Sequence, residues 1–436
     1  MSDRNRELAV LVLASAVATT AFATAWIALG DETDWGWLPA ALGLGGVFLV
    51  GHLVVRRAAP FADPVLLPLA GVLCAVGLTF VYRIDPDDGR KQLVWVAVGV
   101  AVFCAVLWAL RHDYRVLERY RYLFGVSAVV LLMLPSVPGL GARINGVKLW
   151  VQIGPFQFQP GELAKIFLVL FLAGYLREKR ESLAQGRLKD IGPLLAIWGA
   201  AMLVLVQTSD LGSALLNFGI FLAMLYIATG RALYVGVGLV LFAGGATLLY
   251  QSIGRVQQRV TVWLEPWTDE KVYCSLNGGL ELRQNCDSYQ LVKSLYSIAN
   301  GGYGGTGIGR GTFENVDGTQ LIPYLQTDFI YSAIAQELGL VGAAAILLLF
   351  LAVVARGMRI ALLAQDGFSK LLAAGLTFGF ALQTFIIVGG VLRLVPLTGI
   401  TLPFVSYGGS SVVANFVMLA LLLLVSNRAV ATAGGR

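Results

Sequence analysis

Asp328, in the stretch LQTDFIYSAIAQELGL, stands where a hydrophilic segment turns into a long apolar one. An ionised carboxylate at the centre of a bilayer costs roughly 2.5–3.5 kcal/mol on insertion scales, and one at the mouth of a span still needs a reason. A helix N-terminus favours the charged carboxylate and partial burial opposes it, so its pKa can be poised near neutrality, which suits proton abstraction from a hydroxyl. The competing reading is a simple helix cap. Thr327 adjoins this acid, Tyr331 and Ser332 lie one turn on, and Glu337 sits on another azimuth that suits packing or a polar network.

Four further stretches carry polar groups beside apolar runs. GARINGVKLWVQIGPFQFQPGELAK holds Arg143, Lys148 and Trp150, then Glu162 and Lys165, whose i,i+3 spacing lets them neutralise each other on one helix face. In QTSDLGSA, Asp210 is placed to cap the helix that follows. LRLVPLTGITLPFVSYGGSS brings Arg393, Ser406, Tyr407 and Ser410 on Pro- and Gly-rich backbone. Such irregular backbone is tolerated at membrane depth only when buried in protein or lining a watery cavity, so a cavity is expected there.

The fourth stretch, LVKSLYSIANGGYGGTGIGRG, contains Lys293, Ser294, Gly301, Gly302 and Arg310. Gly302, Gly304 and Gly307 satisfy G-x-G-x-x-G, but no strand precedes them and no helix follows, so a dinucleotide site is excluded. The glycines instead let backbone amides approach an anionic or bulky ligand, with a flexible hinge as the alternative.

The elements that must position these groups are membrane spans. Of the 436 residues, 57% are hydrophobic and 13% charged, mean hydropathy is +0.75, and apolar runs reach the roughly 20 residues that cross a bilayer. The expected fold is all-α and polytopic, with about twelve spans near 8–30, 36–55, 64–82, 92–110, 121–137, 162–176, 193–208, 211–230, 232–252, 328–355, 370–391 and 409–427. The first run is read as a span, not a cleaved signal. Lys and Arg gather in alternate connections and at both ends of the chain, which places both termini in the cytoplasm. The net charge of +6 therefore reports topology, and nucleic acid is not an expected partner.

One long hydrophilic loop, 253–327, falls on the outer side. Cys274 and Cys286 lie in it, facing an oxidising space, and are expected to form a disulfide worth roughly 3 kcal/mol on the chain-entropy model. Cys74 and Cys104 fall in spans as packing residues, and with only two histidines no zinc site is expected. On the outer side, then, cations and backbone amides suit a phosphate group while a tunable carboxylate suits proton removal. The combination points to transfer chemistry on a lipid-linked phosphorylated substrate.

From about residue 64 to 428 the chain resembles the SEDS family of bacterial peptidoglycan polymerases, the group of RodA, FtsW and SpoVE. The resemblance rests on FQFQPGELAKI, QTSDLGSALL, YQLVKSLYSIANGGYGGTGIGRG, TDFIYSAIAQELGLVG and PLTGITLPFVSYGGSS, in that order. It implies a glycosyltransferase of the bacterial cytoplasmic membrane that polymerises lipid II on the outer face and releases undecaprenyl pyrophosphate. A class B penicillin-binding protein would supply transpeptidation, and Asp328 would be the essential acid. No cofactor is required by this reading, although Mg or Mn could assist the pyrophosphate.

Departures from the family pattern include Tyr324, Gln326, Tyr331 and Gln336 around the acid, Glu265, Lys293, and Leu149 beside Trp150. Two extra spans in residues 1–60, ahead of a ten-span unit in 61–436, resemble the actinobacterial RodA-like branch, which favours wall elongation over division. A lipid II flippase or a scaffold for a transpeptidase would use the same cavity without needing Asp328.

Overall fold

The computed structural model describes residues 3–28, 30, 37–144, 147–154, 156–185, 192–268, 271–274, 279–315 and 318–434. Among them, nine helices are long and apolar enough to cross a membrane. These are α1 (Asp3–Ala28), α2 (Trp37–Ala58), α3 (Leu66–Ile84), α4 (Pro86–Leu110), α9 (Leu211–Thr229), α10 (Ala232–Ser252), α13 (Ile330–Leu363), α14 (Gly367–Val391) and α15 (Gly409–Gly434). Three more of the expected spans form helices that are shorter or more charged: α6 (Arg121–Met133), α7 (Pro160–Ala184) and α8 (Gly192–Gln207). The protein is thus a helical, membrane-embedded bundle.

Helix starts follow local chemistry. Asp85 accepts from the amides of Asp87 and Asp88, with Pro86 in the first turn of α4. Asp366 accepts from Ser369 N at the start of α14, and Gly230 closes α9 in the left-handed conformation. The spans of α3, α14 and α15 are 78% buried and form the centre, whereas that of α10 is 6% buried and lies at the rim.

The structure adds what an all-α reading leaves out. The segment before α7 is a three-stranded antiparallel sheet of β1 (Gly141–Ile144), β2 (Val147–Ile153) and β3 (Phe156–Phe158). The 253–327 excursion is not a bare loop: it holds the amphipathic α11 (Gly254–Leu264), a hairpin of β4 (Lys271–Cys274) and β5 (Gly279–Leu282), and α12 (Tyr289–Gly301). A disulfide joins Cys274 to Cys286, with Cα atoms 5.6 Å apart. The short helix α5 (Val116–Arg119) links α4 to α6.

α13 is broken at Gly339, whose φ of 66° and ψ of −171° lie outside the helical range. The break frees backbone groups that the glycine-rich loop satisfies. Thr306 N and Gly307 N donate to the carbonyls of Gln336 and Glu337 at 3.0 Å, while Leu340 N and Val341 N donate to Gly302 O and Tyr303 O at 2.9 and 3.2 Å. The glycines are therefore used to bring backbone against backbone, because a Cβ at Gly301 would lie 2.1 Å from Ala335 O and one at Gly305 2.1 Å from Glu337 O.

Candidate active site

Asp328 ends a run of turns two residues before α13, whose N-cap residue is Phe329, with no side-chain cap. The cap reading therefore fails, and the carboxylate is turned to something else. Thr327 fixes the turn: its N and Oγ1 both donate to Tyr324 O, at 3.0 and 2.9 Å.

The Pro- and Gly-rich segment 392–408 holds this turn from the other side. Ser406 Oγ donates to Thr327 O at 2.5 Å and accepts from Leu402 N at 2.9 Å, and Tyr407 N donates to Gln326 O at 2.9 Å. Gln92 on α4 donates to Ser406 O at 3.1 Å, and Gln326 donates to Asp88 at 3.2 Å. Thr327, Ser406 and Tyr407 are thus brought to Asp328 as its supports.

Arg259 is the cation the sequence reading missed. It lies on α11, and its Nη1 donates to Thr398 O at 3.1 Å. Gly399, at φ 73°, lies between this guanidinium and the acid: a Cβ there would sit 3.5 Å from Asp328 Oδ2 and 3.9 Å from Arg259 Nη2. Burial pushes the Asp328 carboxyl up to about 6, with the neighbouring Thr327 hydroxyl and the field of Arg259 opposing it. Burial also pulls Arg259 below the usual guanidinium range, while Asp210 and Asp328 push it back. A clue was present in RVQQRVTVWL, where Arg255 and Arg259 are four apart on one face of a short amphipathic helix.

Beyond Arg259 the polar track continues. Asp210 is buried and caps α9 through Ser213 N at 3.0 Å, as its position in the sequence suggests. Gly212, in the first turn of α9, fits directly against Thr398 and Ile400. Glu162 and Lys165 form the expected ion pair at 3.1 Å, and Lys165 Nζ also donates to Gln383 Oε1 at 2.6 Å. Gln383 in turn donates to Thr401 O at 2.8 Å. A cavity of about 20 Å³, room for one water, lies beneath Lys165 and Gln383 with Asn415 at its wall.

Arg143 and Lys148 occupy facing positions on β1 and β2, both exposed, with Trp150 partly buried on the same strand as Lys148. Directly opposed like charges repel across a strand pair unless an anion joins them.

Several candidates are taken up by the fold itself. Ser294 is fully buried and bonded to Ser332 Oγ at 2.6 Å, so it joins α12 to α13. Gly301 is closed against α13, and Gly302, at φ 52°, turns the chain out of α12. Arg393 donates to the carbonyls of Trp263 and Leu264 at 2.7 and 2.6 Å and lies over the Trp267 ring, so it anchors α11. Lys293 lies over the Tyr289 ring, Ser410 Oγ accepts from Gln159 N at 2.8 Å, and Arg310 is exposed on the glycine loop. In that loop the amides of Thr306 and Gly307, which an anion nest would use, are bonded to the broken helix.

The cell cycle protein family of FtsW, RodA and SpoVE matches residues 65–430, which begins after α2. Over 98% of its length the chain is 40% identical to 91% of the peptidoglycan glycosyltransferase RodA of Mycobacterium leprae. It is 33% identical to the stage V sporulation protein E of Bacillus subtilis, over 86% of this chain and 99% of that one. Among solved structures it is similar to a chain of a peptidoglycan synthase complex that coordinates polymerization and crosslinking. The TM-score is 0.59 at 26% identity, over 91% of this chain and 98% of that one.

Proposed function

The chain belongs to the FtsW, RodA and SpoVE family, and from that premise we propose that it is a peptidoglycan glycosyltransferase of the RodA kind, with Asp328 as the base of its reaction. The observation that carries the assignment to Asp328 is its setting: an uncapping carboxylate, poised at about 6, with Arg259 across Gly399. The substrate is lipid II on the outer face. Asp328 takes the proton of the acceptor sugar hydroxyl as that oxygen bonds to the anomeric carbon of the donor. The bond from that carbon to the pyrophosphate breaks, and undecaprenyl pyrophosphate leaves with the electron pair. Arg259, whose field reaches Asp328, stabilises the developing charge. Arg143 and Lys148 on the hairpin attract the lipid-linked phosphates before reaction.

Among the described residues no three His, Cys, Asp or Glu side chains converge to hold a metal ion. A class B penicillin-binding protein is the fitting partner, in keeping with the synthase complex that shares this fold. With both termini cytoplasmic, the 253–327 region and the β1–β3 sheet face outward, where wall elongation takes place.

The test is polymerisation of labelled lipid II by the purified protein with its cognate transpeptidase, wild type against Asp328→Asn. Long strands from the wild type and none from a variant that still forms the complex would support the reading. Equal strand formation by both would overturn the role of Asp328, and none by either would move transport or scaffolding to the front.

A further inference from the structure

The two helices ahead of the family-matched region reach the candidate active site through a chain of direct contacts. At its cytoplasmic end α1 is pinned by a buried cluster: Arg4 pairs with Glu7 and donates to Ala62 O, and Glu7 meets His52 Nδ1 of α2 at 2.7 Å. At its other end Trp26 stacks on Tyr82 of α3, with ring centres 5.2 Å apart and planes 15° from parallel. Phe22 meets the same ring at 5.0 Å. Ala28 fills the space beside Gly309, where an added Cβ would lie 2.0 Å from the alanine Cβ.

Tyr82 is followed by Arg83, which gathers the glycine loop. Its Nη2 donates to Gly309 O and Gly311 O at 3.0 and 3.2 Å, and its Nε lies 3.5 Å from Glu337 Oε1. That same Glu337 oxygen accepts from Gly311 N at 3.0 Å. The loop then holds the broken segment 330–338 through the amides of Thr306 and Gly307. That segment starts two residues after Asp328.

We infer that α1 is a positioning strut for Asp328, with Trp26 as its key contact: the helix presses Tyr82, Arg83 and Gly309 into the arrangement that locks the glycine loop on the first turns of α13. This rests on the glycosyltransferase reading above and gives the extra helices a role in the rate of that reaction. Trp26 touches no reacting group and acts only through the loop. Misplacing a catalytic group by about 1 Å can cost on the order of 100-fold in rate without weakening substrate binding, so a loosened strut lowers kcat more than it raises KM.

The experiment compares Trp26→Ala and Trp26→Phe with wild type in the full-length protein bound to its transpeptidase. It reads steady-state lipid II polymerisation and hydrogen exchange of residues 302–311 and 327–338. Trp26→Ala is expected to speed exchange in both segments and to lower kcat about tenfold with KM nearly unchanged, and Trp26→Phe to restore both. If Trp26→Ala fails to fold, Trp26→Leu keeps an apolar side chain in the site, loses the stack and gives the same readings. Unchanged exchange, faster exchange with unchanged kcat, or a loss confined to KM overturns the inference. A wild type that does not polymerise lipid II, beside variants that still alter exchange, overturns the functional reading and leaves the strut standing.

Discussion

Asp328 is placed where burial makes a charge costly to the fold. Its carboxyl, at about 6 in the folded chain against an ordinary 3.8, binds more protons folded than unfolded between those values. Stability therefore falls as pH rises through that window, and the full cost stands above it. Asp328→Asn is expected to melt no lower than wild type at pH 7.5, and the two to converge below about pH 4, while polymerisation drops about 10²–10⁴-fold. Calorimetry beside the strand assay checks both. For the wild type, kcat/KM should climb with a single-proton slope centred near 6, because the base must be ionised. Arg259→Gln should cost about a hundredfold in kcat, and Arg259→Lys should recover part of it, since the lysine keeps charge but loses the second donor that reaches Thr398 O. Single-turnover rates on labelled lipid II separate that loss from any change in binding.

At the scale of elements, the site is made by segments that only look like loops. α11 presents Arg259 because Arg393 grips its last carbonyls and Trp263 Nε1 returns a bond to Arg393 O at 3.1 Å. The broken α13 and the glycine loop complete each other, so a side chain at the closest crossing cannot be absorbed. Gly301→Val should destabilise the fold by about 1–3 kcal/mol or more, read as a lower melting temperature in detergent, because the obstructing atom is the backbone oxygen of Ala335. The β1–β2 hairpin behaves differently. Arg143→Ala with Lys148→Ala should relieve a like-charge pair and leave the fold intact, yet raise KM for lipid II about tenfold with kcat preserved. Added salt should mimic the substitution in the wild type and do little to the variant.

At the scale of the molecule, the central, buried α3, α14 and α15 form a frame, and polar groups meet at one end of it. The track from Asp328 through Arg259 and Asp210 to Glu162, Lys165 and Gln383 crosses four helices and the 392–408 segment. Each charge on it has an opposite neighbour or a hydrogen-bond donor, which is what lets so many ionisable groups persist beside apolar spans. The opposite end carries its own ion pairs, such as Arg356 with Asp63 and Arg428 with Asp113, which tie the connections of the bundle together.

The sequence by itself determined the membrane class, the places of the apolar helices, the Glu162–Lys165 pair, the cap at Asp210 and the Cys274–Cys286 bridge. All of these follow from hydropathy over a bilayer length or from groups close together in the chain. Tertiary structure alone decided that Arg259 faces Asp328, that Arg393 and Ser294 serve the scaffold, and that the glycines close a broken helix. Those outcomes depend on which backbone groups a distant segment leaves unpaired. Arg259 and Asp328 are separated by a hairpin, a helix and a disulfide, and no local pattern records that Gly399 arrives between them.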